Sequence, residues 1–529
     1  MVFVGVGASL LVVTALVATA VVLTVEKSDA APVRGYTKDE YMKARALLLS
    51  KDLGRALGAG QVMNSFEKAL DAILLKEKKT IIERARLDRK FYMPARSFFI
   101  SKPWMENTTT FKIIKEMPKG AALHLHEPAI ASLRWLVKNI TYRKHVYMCR
   151  DRDNFTHLNM FLQTPKSNPN CPWLLVSTER AAAKSPADFD EEMIISLSFL
   201  RDKDPLKAFP GVNAAWDRFN KYFDQVIPLF IYVPVLKDYI SQAMQEFYDD
   251  NVQYMEIRGS MLGYQSLNGT QHDAEFGVNL FKQVSEDFVK SHPDFLGAKV
   301  IMSGLRFKPS DEISKEIKIA MALRQKYPNF FLGYDLVAQE DPLNPLLFYL
   351  DALLEPTLGP SSHKVPYFFH TAETKWQGTV VDENLIDALL LNTTRIGHGY
   401  GLAKHPELAD QVKKRGIAVE VNPISNQLLG LVSDLRNHPM TNLFADDFPL
   451  IISSDDPATW EALPLTHDFF LAFMDMSGED MGIAFLKQLA INSIKYSAMN
   501  ETEKKAATAL WQSKWDTFVK DAVNKFSVP

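Results

Sequence analysis

Two histidines, two residues apart, close a short apolar stretch in Ala121-Ala122-Leu123-His124-Leu125-His126-Glu127-Pro128. Read as a strand, the stretch puts His124 and His126 on one face and Leu123 and Leu125 on the other. Two imidazoles on one face can hold one metal ion, and the same pair also occurs in purely structural settings. Three further strand-like runs end in the same way. Val365-Pro366-Tyr367-Phe368-Phe369 leads into His370-Thr371-Ala372-Glu373, Arg395-Ile396-Gly397 into His398-Gly399, and Leu450-Ile451-Ile452-Ser453-Ser454 into Asp455-Asp456-Pro457. Singly, each polar residue has an ordinary reading, such as a buried histidine with a backbone partner or a helix cap for Asp456. Four strands finishing in His, Glu or Asp are hard to explain by packing.

The residue types define a chemistry. Three neutral imidazoles and one carboxylate, His124, His126, His370 and Asp455, suit Zn²⁺ with one position left open, one ion per subunit. Such an ion lowers the pKa of water and makes hydroxide available near neutral pH. Glu373, three residues past a ligand, is placed to deliver a proton. His398 can take the proton of water or hold the hydroxide, and Asp456 can accept a hydrogen bond from substrate or water. Other standard patterns are missing: no His-Glu-x-x-His, no Pro-Cys-x-x-Cys, no Walker loop, no dinucleotide fingerprint and no Gly-x-Ser-x-Gly.

Positioning these residues requires strands of one kind. Besides the opening stretch, strand-like runs fall at Val252–Arg258, Ala298–Leu305, Phe330–Val337, Val365–Thr371, Arg395–Tyr400, Ile417–Val421 and Leu450–Ser454. Helical patterns separate most of them, as at Tyr239–Tyr248, Asp311–Lys326, Asp382–Leu391 and Pro406–Arg415. Eight alternations predict an α/β fold, a (β/α)₈ barrel over residues 106–520, with its chemistry at the C-terminal strand ends. Residues 35–105 read as helical, opening on Thr37 with Glu40 at capping-box spacing. They either pack on the barrel or form a subunit interface. Residues 139–210 break the rhythm and read as an inserted surface module closed by Cys149–Cys171, or as a long disordered loop.

The chain has 529 residues, enough for a barrel with additions, and a formal net charge of −3. That charge offers no field suited to nucleic acid, and no stable nucleic acid complex is expected. Residues 1–30 carry an uncharged apolar run, either a cleaved secretory signal or an uncleaved anchor. Asn-x-Ser/Thr sequons at Asn107, Asn139, Asn154, Asn268, Asn392 and Asn500 fit an exported, extracellular glycoprotein.

His-Leu-His, His-x-x-Glu, Arg-Ile-Gly-His-Gly and Ser-Ser-Asp-Asp-Pro, in that order, resemble the adenosine deaminase superfamily. Met117–Gly120, Tyr254–Arg258, Leu391–Arg395, Pro423–Gln427 and Asn492–Ser497 resemble its secreted branch, the adenosine deaminase-related growth factors or adenosine deaminase 2 group, from about Tyr36 to Lys520. The resemblance implies a zinc aminohydrolase converting adenosine or 2′-deoxyadenosine to the inosine form and ammonia. It implies the ligand set above, Glu373 as proton donor to the purine, His398 as base, and Asp456 as partner of hydroxide and purine. It also implies a homodimer through the N-terminal helices and an insert that binds a receptor, with a cell-surface receptor or glycosaminoglycan as partner. Trp216 looks like the family's tryptophan over the pocket. Three places depart from the family pattern. Glu127 stands for an aspartate that touches ribose, Ala338 for a glycine whose N–H meets the purine, and Thr371-Ala372 for Ala-Gly beside Glu373. A methyl group at Ala338 is unfavourable if the backbone there needs a positive φ. A growth-factor-like binding protein with weak or no deaminase activity, and a barrel hydrolase of another base or nucleotide, are the alternatives.

Overall fold

The computed structural model describes residues 35–88, 91–166, 168–199, 209, 211–261, 263–358 and 364–527. The apolar stretch read as a signal lies outside them. Two units are distinguished, Met1–Leu53 and Gly54–Pro529. The described part of the first is the helix Lys38–Leu53, none of whose residues is buried. It starts as its sequence requires: the Thr37 N–H donates to Glu40 Oε2 (2.9 Å), and the Glu40 N–H to Thr37 Oγ1 (3.3 Å).

The second unit opens with the helix Ser65–Leu87, capped by the same device at Asn64 and Glu67. Leu70, Leu74, Lys78 and Ile81 fall on one face and are buried. Buried Lys78 donates to Ser477 Oγ and the Gly478 carbonyl, both at 2.7 Å.

The strands are β1 Gly120–His126, β2 Val146–Arg150, β3 Thr156–Met160, β4 Leu174–Leu175, β5 Val252–Gly259, β6 Ala298–Leu305, β7 Phe331–Val337, β8 His370–Thr371, β9 Arg395–His398, β10 Ala418–Val421 and β11 Leu450–Ile452. Two parallel four-stranded sheets form, in the orders β1-β5-β6-β7 and β11-β10-β9-β8. Parallel bridges between Tyr334 and Tyr367 and between Leu125 and Asp455 join them at both edges. Eight strands thus close into the expected barrel, and nearly every strand residue is buried, as a parallel sheet wrapped by helices requires. Helices follow the strands, among them Ala274–Ser291, Ser310–Lys326, Asn384–Leu390 and Pro406–Arg415.

Several expected boundaries shift. Of Val365–Thr371 only His370 and Thr371 enter the ladder. Pro366 has no N–H to give, although its carbonyl accepts from the Tyr334 N–H at 2.9 Å. The strands expected to reach Tyr400 and Ser454 stop at His398, where a positive φ (56°) bends the chain, and at Ile452. The helix expected from Tyr239 begins at Val233, with Pro234 in its first turn.

Between β1 and β5 lies an antiparallel sheet, β3-β2-β4, followed by the helices Val176–Ala182 and Pro186–Leu197. Cys149 and Cys171 are disulfide-bonded, with Cα atoms 5.2 Å apart. The disordered-loop reading therefore fails for the described part of this segment. Among the described residues no helix is long and apolar enough to cross a membrane.

Candidate active site

Strand alternation in β1 brings His124 and His126 to the same side, as the sequence implies. His124 Nε2 lies 3.3 Å from His126 Nε2 and 3.0 Å from His370 Nε2, and Asp455 Oδ1 lies 3.2 and 3.0 Å from the Nε2 atoms of His124 and His126. Asp455 is held there by its backbone, whose N–H donates to the His124 carbonyl (3.1 Å) and whose carbonyl accepts from the His126 N–H (3.2 Å). Gly397 makes room for the cluster, since a Cβ there would stand 3.0 Å from His124 Cε1.

Hydrogen-bond accounting decides what the cluster can hold. His124 Nδ1 is 2.6 Å from Glu420 Oε2, and His370 Nδ1 is 2.7 Å from Asp335 Oδ2. Burial pushes the Glu420 carboxyl up, but Arg258 and Arg395 outweigh it and hold it well below the usual range. Burial likewise opposes ionisation of Asp335, and His370 and Arg258 prevail. Both carboxylates are charged acceptors, so both Nδ1 atoms carry hydrogen. Two neutral rings would therefore turn Nε2 lone pairs toward one another at 3.0 Å, an arrangement that calls for a cation between them. Burial and Arg258 push the His124 imidazole down, but Asp455 and Glu420 outweigh them and hold it above its usual range, so the site draws in a positive charge, a proton or a metal ion. Four donors at tetrahedral positions around Zn²⁺, at ~2.0–2.1 Å from it, stand ~3.3 Å apart. The donor set fits that ion in type and spacing.

A single guanidinium supports both histidines. Arg258 Nε donates to Asp335 Oδ2 and Nη2 to Glu420 Oε2, each at 2.7 Å, and Nη1 donates to the Leu123 carbonyl at 2.9 Å. Arg395 bonds the other oxygen of Glu420 at 2.6 Å. All four residues are buried. Such outer partners fix ring orientation and raise ligand basicity. Sequence reading gave none of them a role. Charges inside otherwise apolar strands, as at Glu256, Arg258, Asp335, Arg395 and Glu420, were the available signal.

Around the cluster stand the remaining expected residues. Glu373 is buried, with Oε1 unpartnered and 3.4 Å from His398 Nδ1. Burial, then the Asp455 charge, pushes its carboxyl well above the usual range. His398 Nε2 lies 3.7 Å from Asp455 Oδ2, and the ligand-capable atoms of His124, His370, His398 and Asp455 all fall within 4.8 Å of one another. Those of His126, Asp455 and Asp456 do so as well. Asp456 is buried with Oδ1 unpartnered, and burial with the neighbouring Asp455 pushes it well up.

The three departures have distinct settings. The Glu127 carboxyl is buried and takes the Tyr264 hydroxyl at 3.0 Å; a Cβ on residue 259 would meet its Oε2 at 2.3 Å, so Gly259 leaves the space it fills. Burial raises Glu127 to about 7. Ala338 has φ 86° and Ala372 φ 51°, left-handed conformations that alanine seldom adopts. Thr371 is buried with its hydroxyl unpartnered. Trp216 is buried in the helix Val212–Phe230, its ring edge-on to Phe219. That helix is tied to the loop after β7, where Gln339, next to Ala338, donates to Asn213 Oδ1 at 2.9 Å.

Comparison with known proteins agrees with the geometry. Residues 200–510 match the family profile described as adenosine deaminase, and residues 16–114 match that described as adenosine/AMP deaminase N-terminal. The chain is 41% identical to adenosine deaminase 2 of Pongo abelii over 484 residues, 91% of this chain and 94% of that one. It is 40% identical to adenosine deaminase 2 of Homo sapiens over the same shares. Among solved structures, an amidohydrolase from Burkhoderia ambifaria with bound Zn aligns with a TM-score of 0.53 at 17% identity, covering 79% of this chain and 95% of that one, which bears on the fold alone.

Proposed function

The chain belongs to the adenosine deaminase family, and from that premise we propose that it is an extracellular, zinc-dependent enzyme that hydrolyses adenosine and 2′-deoxyadenosine to inosine and 2′-deoxyinosine, releasing ammonia. The observation that carries the reading is the inward convergence of three imidazole Nε2 atoms and the Asp455 carboxylate beside a buried Glu373 whose Oε1 is unpartnered.

His124, His126, His370 and Asp455 would hold the ion. When bound, Zn²⁺ supplies a Lewis acid that brings water toward ionisation near neutral pH. The protein's own groups do the rest. Glu373, kept protonated by burial, hands a proton to the purine ring, which prepares the amino-bearing carbon for attack. His398 and Asp456 face the attacking oxygen. Glu127 and Ala338 meet the nucleoside, and Trp216 covers the pocket. One water enters, one ammonia leaves, and an amino group on the ring becomes a carbonyl.

Six sequon asparagines, all exposed, and the disulfide support export and glycosylation. The helix Lys38–Leu53 exposes Tyr41, Met42, Leu47 and Leu48 and buries nothing, which supports a homodimer through the N-terminal helices. The disulfide-bonded segment is the candidate for a receptor or glycosaminoglycan contact. A second reading, a growth-factor-like binding protein with little deaminase activity, draws on the strained alanines at 338 and 372.

The test follows absorbance as purified protein meets adenosine and 2′-deoxyadenosine, with and without a zinc chelator. Turnover abolished by chelation and restored by Zn²⁺ is expected. Turnover indifferent to chelation contradicts the mechanism, and none in zinc-loaded protein favours the binding-protein reading.

A further inference from the structure

His438 is a fully buried histidine that the reaction does not use, and it stands at the end of a chain of hydrogen bonds leading to His398. The Met440 backbone N–H donates to His438 Nδ1 at 3.1 Å. His438 Nε2 lies 2.9 Å from Asn426 Oδ1, and Asn426 Nδ2 lies 3.0 Å from His398 Nδ1. All three side chains are buried, Asn426 in the short helix Pro423–Leu428.

The direction of this chain is set by its far end. A backbone N–H can only donate, so His438 Nδ1 presents a lone pair. A neutral imidazole then carries its hydrogen on Nε2. Burial keeps His438 neutral, pushing it down to about 3. The atom of Asn426 facing that N–H must be the carbonyl oxygen, which turns the amide NH₂ toward His398. His398 Nδ1 therefore accepts, and its hydrogen resides on Nε2, the nitrogen facing Asp455. Two neighbours are compatible with this. Glu373 Oε1, at 3.4 Å from Nδ1, makes no hydrogen bond there. Asn422 Nδ2, 3.5 Å from Nε2, also donates to the Glu420 carbonyl at 3.4 Å, so its contact with the ring is not an obligatory hydrogen bond.

We propose that Asn426 and His438 are positioning residues that lock His398 in its Nε2–H tautomer, so that Nε2 presents a hydrogen, and no lone pair, toward the attacking oxygen. The consequence for catalysis rests on the deaminase reading, whereas the tautomer does not. The arrangement is the amide-based counterpart of the carboxylate that fixes a catalytic histidine elsewhere, where the wrong tautomer costs ~10⁴-fold in kcat with geometry intact.

The experiment uses the full-length, zinc-loaded protein with ¹⁵N-labelled histidine. Long-range ¹H–¹⁵N correlation spectra report which nitrogen of each neutral ring bears hydrogen, and His398→Asn identifies the His398 signals among twelve histidines. Hydrogen on Nε2 is expected in the unaltered protein. Asn426→Asp supplies acceptors to both rings and should move it to Nδ1, lowering kcat by ~100-fold or more while KM stays within about threefold. His438→Gln, which can still accept from Met440 and donate to Asn426, should keep both the tautomer and kcat within about fivefold. Zinc content should be equal in the unaltered protein, Asn426→Asp and His438→Gln. Hydrogen on Nδ1 in the unaltered protein, or a tautomer unmoved by Asn426→Asp, overturns the proposal. The spectra are read without substrate, so absence of adenosine turnover would sink the deaminase reading and leave this one standing.

Discussion

At the floor of the barrel mouth, His124 and His370 each give Nδ1 to a charged carboxylate, and one arginine, Arg258, grips both carboxylates. At the rim, Glu127 fills a space left by Gly259, and Ala338 and Ala372 hold left-handed backbone that suits glycine. The floor is over-determined: each ring is fixed by a partner that is itself fixed. The rim is strained and altered in the positions that would meet a nucleoside. The contrast teaches that the reacting machinery and the recognition surface sit on the same strand ends but are supported separately, so one can change while the other is kept.

The comparison breaks most sharply if the floor fails alone. Glu373→Gln keeps the shape and removes the transferable proton. It should lower deamination by ~10³-fold, within the range general acids contribute, with zinc content unchanged. Steady-state kinetics and metal analysis on one preparation check it, and loss of zinc together with activity would show that Glu373 belongs to the cage instead.

The support for the floor can be tested by itself. Arg258→Gln frees Asp335 and Glu420 from their shared clamp, and zinc affinity should fall by ~10- to 100-fold in chelator competition. Unchanged affinity would mean that the two carboxylates orient the histidines without it.

Rim changes should be smaller and should not touch the metal. Glu127→Asp withdraws the carboxyl from Tyr264 and should shift KM for adenosine by ~3- to 10-fold at constant zinc content, the size of one lost or gained hydrogen bond. Ala338→Gly and Ala372→Gly relieve positive φ and should each raise the melting temperature by about 1 °C or more, the strain being ~1 kcal/mol per residue. A fall in melting temperature would show that the methyl groups pack well enough to repay the strain.

Much of this was legible in the chain. His124 and His126 announce a shared face through strand alternation, and the apolar runs before His370, His398 and Asp455 announce barrel strands. Thr37 and Glu40 announce a helix start that the structure bears out. The length of β8 was not legible, because the extended run from Val365 contains a proline that cannot join the ladder on both sides. Arg258 and Glu420 could not be paired from sequence, since 162 residues separate them and their meeting depends on barrel closure. Asn426 and His438 are closer, 12 residues apart, yet their link depends on loop conformation. The small sheet of the disulfide-bonded segment was missed because its strands mix polar with apolar residues, as in Thr156-His157-Leu158-Asn159-Met160, and no apolar run marks them.

The central claim is that His124, His126, His370 and Asp455 share one zinc ion. Crystals of the purified protein, with diffraction collected on both sides of the zinc absorption edge, test it directly. The account predicts one anomalous peak per chain, ~2.0–2.2 Å from the three Nε2 atoms and an Asp455 oxygen. A zinc peak elsewhere, or none in protein that deaminates adenosine, would contradict it.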